Sequence, residues 1–440
     1  MEKKTLVICW LRRDLRLDDH CALYHALNSG FPVLLIFIFD KNILDSLPRL
    51  DKRVIFIHEQ LQKVDIQLKK YQSGIKTYYG EPLEIFHEIT EKYEVKAVFT
   101  NHDYEPYAIT RDTKIKNFLE KIGIKFYTFK DQVICEKSEV MKEDGKPYTV
   151  YTPYSKKWKE VIKNKGIPNY PSENFLQNSV KNLDFSIHEL KELGFESQKI
   201  SFVPSELSIE TLKNYANSRD YPSKDNGTSK LSVHLRFGTV SIRKIYKKAL
   251  ENQSEKFINE LIWREFYMMI LFHFPYVVKS CFKTEFNEIQ WNTDNEHFEK
   301  WCNGMTGIPI VDAGMRELNA TGYMHNRVRM IVASFLTKNL WIDWRLGEEY
   351  FAKKLLDFEL ASNNGSWQWV AGCGVDAAPY FRVFNPYLQT QKFDPEFKYI
   401  KKWVPEIYSD NYPKPIVDVQ SSAKKAIELY QNFLKKNVNN

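Results

Sequence analysis

The residues best suited to chemistry lie near the C-terminus, in the stretch LLDFELASNNGSWQWVAGCG. It carries two tryptophans two positions apart, Trp367 and Trp369, an Asn-Asn pair that begins at Asn363, and the acids Asp357 and Glu359. Indole is among the most readily oxidised side chains, so tryptophans at several positions could pass single electrons, and the amide of Asn363 could hydrogen-bond a heterocycle. Taken singly, each tryptophan is better explained by core packing.

A second group of candidates lies in the stretch NELIWREFYMMILFHFP. On a helix Glu260, Trp263, Arg264 and Tyr267 follow the spacing i, i+3, i+4 and i+7 and share one face. An acid, an indole and a guanidinium together suit a pocket that stacks and hydrogen-bonds its ligand. The alternative is an exposed Glu–Arg pair beside an ordinary tryptophan.

The stretch MHNRVRMIVASFL gives a weaker signal of the same kind. In a helix Asn326, Arg329 and Met330 share a face, and Arg327 points elsewhere. Taken alone, this pattern is typical of a surface helix.

The stretch NGTSKLSVHLRFGTVSIRK contains a candidate phosphate site. A glycine followed by Thr228, Ser229 and Ser232 at the start of a helix offers hydroxyls, backbone N–H groups and a helix dipole to an anion. An ordinary helix cap is the alternative and, for the loop alone, the favoured one.

The elements that position these residues follow from hydrophobic periodicity. Residues 1–135 alternate continuous apolar runs, such as TLVICWL and PVLLIFIFD, with amphipathic helical segments. This pattern predicts an α/β domain with a doubly wound parallel sheet, whose ligands bind beyond the carboxyl ends of the strands. Because neither G-x-G-x-x-G nor a Walker motif occurs, an ordinary dinucleotide or P-loop domain is excluded.

The rest of the chain divides into a connector and a helical domain. Residues 136–205 are rich in Lys, Pro and Asn and predict a long linker over the surface. From residue 206 to 440 the periodicity is helical and aromatic residues concentrate, which predicts an all-α domain.

The composition of the chain limits the number of domains and the kinds of partner. A chain of 440 residues, 43% hydrophobic and 15% aromatic, suits two or three domains with stacking surfaces to spare. A net charge of +7 permits an anionic partner without requiring one. The six cysteines show no zinc or disulfide spacing, and no stretch is typical of a signal peptide or membrane helix. We therefore expect a cytoplasmic protein without metal or membrane attachment, and a monomer.

Several long motifs in order resemble the photolyase/cryptochrome family: LIWREFY, TGIPIVDAGMRELNATGYMHNRVRMIVASFL, WIDWRLGEEYF, ASNNGSWQW and DAAPYFRVFNP. The N-terminal WLRRDLRLDDH and the loop GTSKLSVHLRFGTVS are similar to further family motifs, so the resemblance covers nearly the whole chain. It is closest to photolyases that repair cyclobutane pyrimidine dimers. The resemblance implies a lyase for UV-damaged DNA, in which reduced, light-excited FAD gives an electron to a flipped-out dimer.

The resemblance also implies which residues hold FAD in the helical domain. Asp357 and Glu359 would flank the flavin edge, with Arg329 as the partner of Asp357, and Asn363 would lie beside flavin N5. The cofactor set by family position is Tyr215, Thr228, Ser229, Lys230, Leu231, Ser232, Phe257, Asn326, Arg329, Asp357, Phe358, Glu359 and Asn363.

For the tryptophans the resemblance implies two roles. Trp367, Trp344 and Trp291 would form a photoreduction relay from flavin to surface, whereas Trp263 and Trp369 would wall the lesion pocket. Glu260 and Asn326 would hydrogen-bond the bases. The full set facing DNA is Arg219, Glu260, Trp263, Arg264, Asn326, Arg327, Met330, Trp369, Arg382 and Gln389.

Two features depart from the family pattern. Glu359 stands where the family commonly has Asp, which changes the reach of the carboxylate toward the flavin. The stretch NHDYEPYAITRD lacks the Asn-Glu pair of folate-antenna photolyases. A second, antenna chromophore would be a folate, a deazaflavin or a flavin.

Three rival functions stay open. A cryptochrome-type photoreceptor has the same fold, but signalling relatives tend to lose one or more of Asn363, Trp263 and Trp369. Repair of the pyrimidine–pyrimidone photoproduct expects a histidine-centred pocket, for which His325 is available, yet the Asn-Gly-Ser-Trp-Gln-Trp run fits the cyclobutane class better. A non-photochemical flavoprotein is the third.

Overall fold

Five parallel strands form one sheet in the N-terminal part of the chain. The computed structural model describes residues 3–438, with side chains to residue 435. The strands are β1 Thr5–Leu11, β2 Val33–Asp40, β3 Ile75–Gly80, β4 Glu94–Asn101 and β5 Lys125–Phe129, in the order β3-β2-β1-β4-β5. All four pairings are parallel. β2 is buried along its whole length, as its unbroken apolar sequence predicts for a sheet covered on both faces.

Helices connect successive strands and cover the sheet. They are α1 Cys21–Leu27, α2 Lys41–Leu44, α3 Lys52–Lys69, α4 Pro82–Lys92 and α5 Pro106–Lys121. Local chemistry sets where they begin: Asp51 accepts a backbone N–H at the start of α3, and Pro82 and Pro106 occupy first-turn positions, where a missing N–H costs nothing. The predicted doubly wound α/β fold is confirmed.

From residue 206 to 438 the chain is helical, as predicted, and helix α6 (Tyr151–Lys165) lies in the stretch that was predicted to be a linker. The α-helices are α6 Tyr151–Lys165, α7 Ile209–Ser218, α8 Ser232–Phe237, α9 Ile242–Glu251, α10 Glu255–His273, α11 Asn295–Asn303, α12 Pro309–Thr321, α13 Asn326–Ser334, α14 Trp344–Lys354, α15 Leu360–Ala371, α16 Pro386–Phe393, α17 Lys398–Trp403 and α18 Val419–Val438. Short 3-10 helices span Ser172–Asn178, Pro275–Val278 and Thr284–Glu288, and a π-helix spans Phe335–Asn339.

The chain separates into two compact units, each built from three stretches. The first contains residues 1–136, 160–207 and 230–251, and the second contains residues 137–159, 208–229 and 252–440. The second unit therefore includes the start of α6, from the stretch whose sequence predicts a connector. The domain bounds 1–135, 136–205 and 206–440 stay a prediction.

A large apolar core holds the second unit together. Trp301, Trp344 and Trp367 are all at most 2% exposed within it, and α10 packs against α15. Burial of this much aromatic surface is a strong stabilising contribution, at roughly 25 cal/mol per Å² of apolar area. Over residues 3–438, no helix is long and apolar enough to cross a membrane.

Candidate functional site

Helix α10 presents the polar face that its sequence predicts. Glu260, Trp263 and Arg264 are half-buried, whereas Leu261 and Phe266 on the other side are fully buried. The helix thus anchors itself through its apolar side and carries an acid, an indole and a guanidinium on its less buried side.

A chain of charges begins at Glu260. Its carboxylate is ion-paired with Arg219, Asp220 lies 3.7 Å from the Arg219 guanidinium, and Arg327 lies 2.7 Å from Asp220. The Glu260 side chain keeps 34% of its exposure, yet burial raises its pKa, and the Arg219 charge opposes that rise. The four side chains form a polar strip of two carboxylates and two guanidiniums.

Arg264 joins α10 to the start of α15. Its guanidinium lies 2.9 Å and 3.1 Å from the two carboxylate oxygens of Glu359, and the Ser362 hydroxyl donates to Glu359 at 3.0 Å. The longer side chain at position 359 therefore reaches a partner across two helices. This bidentate contact fixes the relative position of the two candidate stretches.

Arg329 and Asp357 form a second ion pair. One carboxylate oxygen lies 2.9 Å and the other 3.2 Å from Nη2, and Nε donates to the carbonyl of Met324 at 2.7 Å. The pairing of these two residues, expected from the resemblance, is confirmed. Their role toward a cofactor stays a prediction.

Asn363 has a defined orientation on α15. Its amide nitrogen donates to the Glu348 carbonyl at 3.1 Å and to the Glu348 carboxyl at 2.7 Å. Burial raises the pKa of Glu348, although the hydrogen bond from Asn363 opposes the rise. With its nitrogen engaged, Asn363 has its carbonyl oxygen left for a ligand, and that oxygen is an acceptor.

The candidate phosphate loop is pinned to α7. The Ser218 hydroxyl donates to the Gly227 carbonyl at 3.0 Å, and a Cβ on Gly227 would lie 2.9 Å from the Ser218 carbonyl oxygen. Only glycine fits this close approach. The neighbouring Thr228 is held by a side-chain hydrogen bond with Tyr323.

The other predicted cofactor residues are placed as follows. Tyr215 and Phe257 pack edge to face, with ring centroids 5.2 Å apart. Leu231 is buried, Lys230 has a left-handed backbone with φ of 52°, and Ser232 is exposed at the start of α8, all three within the first unit.

The three tryptophans predicted to form a relay lie in or against one apolar core. Trp344 and Trp367 are buried in it, and Trp291 is half-buried against it, 5.0 Å from the ring of Trp341. A Cβ on Gly347 would lie 2.2 Å from the Trp367 indole, so helix α14 can approach that ring closely only because position 347 is glycine. Trp341 was not singled out by any pattern in the sequence.

The remaining predicted DNA-facing residues are partly or fully open to solvent. Arg382 and Asn326 are exposed, Gln389 and Trp369 are half-buried, and Phe358, from the cofactor set, is half-buried against the core. Met330 is also half-buried, with its sulfur 3.9 Å from a guanidinium nitrogen of Arg327.

Tyr151, at the start of α6, is a candidate that sequence reasoning missed. Its ring stacks on Trp263 with centroids 3.6 Å apart and planes at 4°. Its N–H donates to Asp376 at 3.0 Å and its hydroxyl to the Asn259 carbonyl at 2.9 Å. Tyr154 and Trp158 are four positions apart and are both buried on one side of α6. This spacing is the signal from which a helix in this stretch could have been predicted.

In the first unit, charges gather beyond the carboxyl ends of the strands. Asp14, after β1, lies 3.1 Å from His20 and accepts from Asn101, the last residue of β4, at 2.7 Å. Arg16 and Asp131 form a buried ion pair at 2.7 Å. A ligand at this edge, where the strand order reverses, would meet a network of paired charges.

Comparisons with known proteins agree over almost the whole chain. Residues 7–173 match the DNA photolyase family, and residues 257–409 match the FAD binding domain of DNA photolyase. A deoxyribodipyrimidine photo-lyase of Halobacterium salinarum is 34% identical over 96% of this chain and 98% of its own.

Two solved structures show the same fold. A Sulfolobus tokodaii photolyase with two FAD molecules has a TM-score of 0.81 and 34% identity, and covers 97% of this chain and 99% of its own. A Synechocystis cryptochrome has a TM-score of 0.84 and 25% identity, and covers 98% of this chain and 100% of its own.

Proposed function

The chain belongs to the DNA photolyase family, and we propose that it is a deoxyribodipyrimidine photolyase that splits cyclobutane pyrimidine dimers in UV-damaged DNA with light. The observation that carries the proposal is the Arg264–Glu359 bridge between α10 and α15. It ties Glu260 and Trp263 on one helix to Asn363, Trp367 and Trp369 on the other.

FAD is the cofactor of the helical FAD-binding domain. The donor set of this chain fits such a group: hydroxyls at Thr228 and Ser229 beside the glycine-dependent loop suit a diphosphate, and the Arg329–Asp357 pair suits a heterocycle edge. When bound and reduced, FAD supplies under light the electron that splits the dimer. The residues proposed to hold it are Tyr215, Thr228, Ser229, Lys230, Leu231, Ser232, Phe257, Asn326, Arg329, Asp357, Phe358, Glu359 and Asn363.

In this proposal Asn363 favours the reduced cofactor. Its amide nitrogen is engaged by Glu348, so its oxygen is directed to the ligand as an acceptor. Reduced flavin carries a proton on N5 and can donate to that oxygen, whereas oxidised flavin has no proton there. An uncharged acceptor thus stabilises the reduced form without placing a second charge beside it.

The lesion pocket is proposed to lie between Trp263 and Trp369. Photolyases are among the enzymes that flip their target base out of the helix, which costs a few kcal/mol and costs less at a damaged site. Indole walls repay part of that cost by stacking, and Glu260 and Asn326 offer hydrogen bonds to the base edges. Met330 would pack below the bases, and Arg264 would hold Glu359 in place.

The DNA backbone is proposed to follow a set of polar side chains, of which Arg382 is exposed and Arg219 and Arg327 are half-buried. Arg219 and Arg327, joined through Asp220, together with Arg382 and Gln389, would contact phosphates or nearby nucleotides. Such contacts position a duplex without reading its sequence.

The proposed relay runs from Trp367 through Trp344 to Trp291. Support comes from burial of the first two rings in one core and from the place of Trp291 at its edge. The relay would return the flavin to its reduced state and would play no part in contacting the lesion.

We also propose that the α/β domain holds an antenna chromophore: a folate, a deazaflavin or a flavin. The network around Asp14 and Asn101 lies where ligands of such sheets bind. The absorption spectrum of the purified protein, followed by release and identification of its chromophores, tests both this site and FAD.

A blue-light photoreceptor is the second candidate function, because the Synechocystis cryptochrome shares the fold over nearly the whole chain. The deciding experiment uses full-length protein with chemically reduced FAD and an oligonucleotide that contains one thymine dimer. We expect preferential binding of the dimer in the dark and its splitting under blue light. Equal binding of damaged and undamaged DNA, with no splitting, would support the photoreceptor instead.

A further inference from the structure

Cys281 and Cys373 form a buried thiol pair in the second unit. The six cysteines of the chain are all free and buried. These two, 92 positions apart in sequence, have interacting thiols; the Cys373 thiol also donates to the Gln368 carbonyl at 3.8 Å, and each residue is 1% exposed. A contact between two sulfurs is the arrangement from which a disulfide forms.

Backbone and amide hydrogen bonds hold the two cysteines together. The Lys283 N–H donates to the Cys373 carbonyl at 2.9 Å, and the Phe282 N–H donates to the side-chain oxygen of Gln368 at 2.7 Å. The nitrogen of that amide donates to the Ser280 carbonyl at 3.2 Å. The segment that carries Cys281 is therefore fixed against the end of α15 that precedes Cys373, independently of the thiols.

The pair lies directly beside Trp344. The buried indole N–H of Trp344 has no close hydrogen-bond acceptor among the described residues, and it interacts weakly with the sulfur of Cys281. Arg345 covers the Trp344 ring at 4.9 Å from its centroid, and its Nη2 donates to the same sulfur at 3.7 Å. One sulfur thus contacts the proposed middle tryptophan of the relay and a fixed positive charge.

The surroundings of the two thiols shift their pKa values in opposite directions. The hydrogen bond with Cys373 and the Arg345 charge lower the pKa of Cys281 against the effect of burial, whereas burial raises the pKa of Cys373. Thiolate character is what makes a cysteine easy to oxidise. Because the Arg345 guanidinium lies 3.7 Å from the Cys281 sulfur and favours a thiolate there, Cys281 is the sulfur better placed to be oxidised first, with Cys373 as its partner.

We propose that Cys281 and Cys373 are an internal two-electron donor that supplies the relay through Trp344. The proposal rests on the photoreduction relay of the proposed function. When Trp344 has given up an electron, Cys281 transfers an electron to Trp344 and releases its thiol proton, and the resulting sulfur radical begins to bond to the Cys373 sulfur. A second light-driven step removes the second electron and completes the disulfide. Overall the two thiols lose two electrons and two protons, which are those that convert FAD to FADH2, and one S–S bond forms.

The test counts thiols in the wild-type protein. Full-length protein loaded with oxidised FAD is illuminated without oxygen and without added reductant, then denatured in an alkylating reagent and mapped by mass spectrometry. We expect two free thiols to be lost for each flavin reduced, with a disulfide-linked peptide pair that contains Cys281 and Cys373. Flavin reduction with all six thiols still free, or no flavin reduction without an external reductant, would overturn the proposal.

Single-cysteine variants test which thiols supply the electrons for flavin reduction. Cys281→Ala and Cys373→Ala should each abolish light-driven reduction in the absence of added thiol and regain it when dithiothreitol is supplied. Cys302→Ala, at another buried cysteine of the same unit, should behave as wild type. Equal photoreduction in all three would also contradict the donor role. Dimer splitting by chemically reduced protein needs no internal donor, so its failure would reject the photolyase function and its success would leave the thiol count to decide this proposal.

Discussion

Tyr151 and Trp263 stack face to face, with ring centroids 3.6 Å apart and planes at 4°. One face of a proposed lesion-pocket wall is therefore already covered by the protein's own aromatic ring. Tyr151 is fixed in turn by its bonds to Asp376 and Asn259. The stack holds the indole in one orientation, so that its other surfaces are preorganised for a base.

The first prediction is that Tyr151→Ala weakens dark binding of a thymine-dimer oligonucleotide. The loss should reach up to about tenfold, because a stacked aromatic pair contributes about 0.5–1.5 kcal/mol. Tyr151→Phe keeps the stack, loses only the hydroxyl bond to Asn259, and should bind almost as wild type. Tighter binding by the alanine variant would instead show that Tyr151 occupies the place of a base.

The second prediction separates the relay from the lesion pocket. Trp367→Phe should stop light-driven reduction of oxidised flavin, yet chemically reduced protein should still split dimers, because the proposed relay would feed the cofactor and would not touch DNA. Trp301→Phe is the matched control: Trp301 is equally buried, and its ring lies 6.2 Å from that of Trp367. Loss of repair in pre-reduced Trp367→Phe would assign this residue to structure or substrate.

Much of the fold follows from local sequence. The continuous apolar runs of β1 and β2 predict buried parallel strands, and the i, i+3, i+4 spacing places Glu260, Trp263 and Arg264 on one helical face. These signals depend only on near neighbours in the chain. Right-handed crossovers leave few possible strand orders, but the observed order β3-β2-β1-β4-β5 was not predicted.

Contacts between residues that are distant in sequence were harder to predict. Arg219 and Glu260 are 41 positions apart, and Tyr151 comes from a stretch whose Lys, Pro and Asn content predicts a linker. Hydrophobic periodicity relates only near neighbours in the chain, so it could not predict these contacts. The Arg329–Asp357 pair was expected only because the resemblance supplied the long-range information that spacing lacks.

The third prediction concerns salt. If Arg382 contacts a phosphate, Arg382→Ala should reduce the slope of log affinity against log salt by about 0.9 on duplex DNA. It should weaken damaged and undamaged DNA alike, since phosphate contacts carry no sequence or lesion information. Lys300→Ala, an exposed lysine that pairs with Glu296 on α11, is the control. Slopes measured at several salt concentrations that coincide for wild type and Arg382→Ala would remove this residue from the interface.

The fourth prediction concerns pH and stability. His325 caps α13 by accepting the Arg327 N–H at its Nδ1, 3.1 Å away, and burial, followed by the charge of Arg329, lowers its pKa to about 4. In the unfolded chain the pKa is about 6.5, so the unfolded state takes up the proton first as pH falls. His325 therefore costs no stability above about pH 6.5 and destabilises the fold progressively down to about pH 4, by up to about 3 kcal/mol in total.

The variant His325→Asn isolates this effect. Asn keeps an oxygen acceptor for the cap and does not titrate. Free energies of unfolding in urea at pH 7.5 and pH 5 should therefore differ less in the variant than in wild type. The same pH difference in both proteins would show that other groups, such as the carboxylates, account for the acid sensitivity.

The last prediction concerns Glu260. It shares a helical face with Trp263, and burial raises its pKa although Arg219 is its ion-pair partner. In the proposed pocket this carboxyl hydrogen-bonds the pyrimidine edge as negative charge develops there. An interaction that strengthens with developing charge raises the yield of the chemical step, whereas one of constant strength raises only binding. Glu260→Ala should therefore lower dimer splitting per absorbed photon more than it lowers dark affinity.

Trp263→Ala should show the opposite balance, because it removes stacking worth ~1–3 kcal/mol per base and leaves the hydrogen-bonding group in place. Glu260→Gln keeps a donor and an acceptor of the same length and should recover part of the yield. The measurements are quantum yields with lesion-saturated, chemically reduced protein, and lesion affinities in the dark. If Glu260→Ala loses as much affinity as Trp263→Ala and keeps the wild-type yield on bound lesion, Glu260 serves only to bind the dimer and takes no part in its splitting.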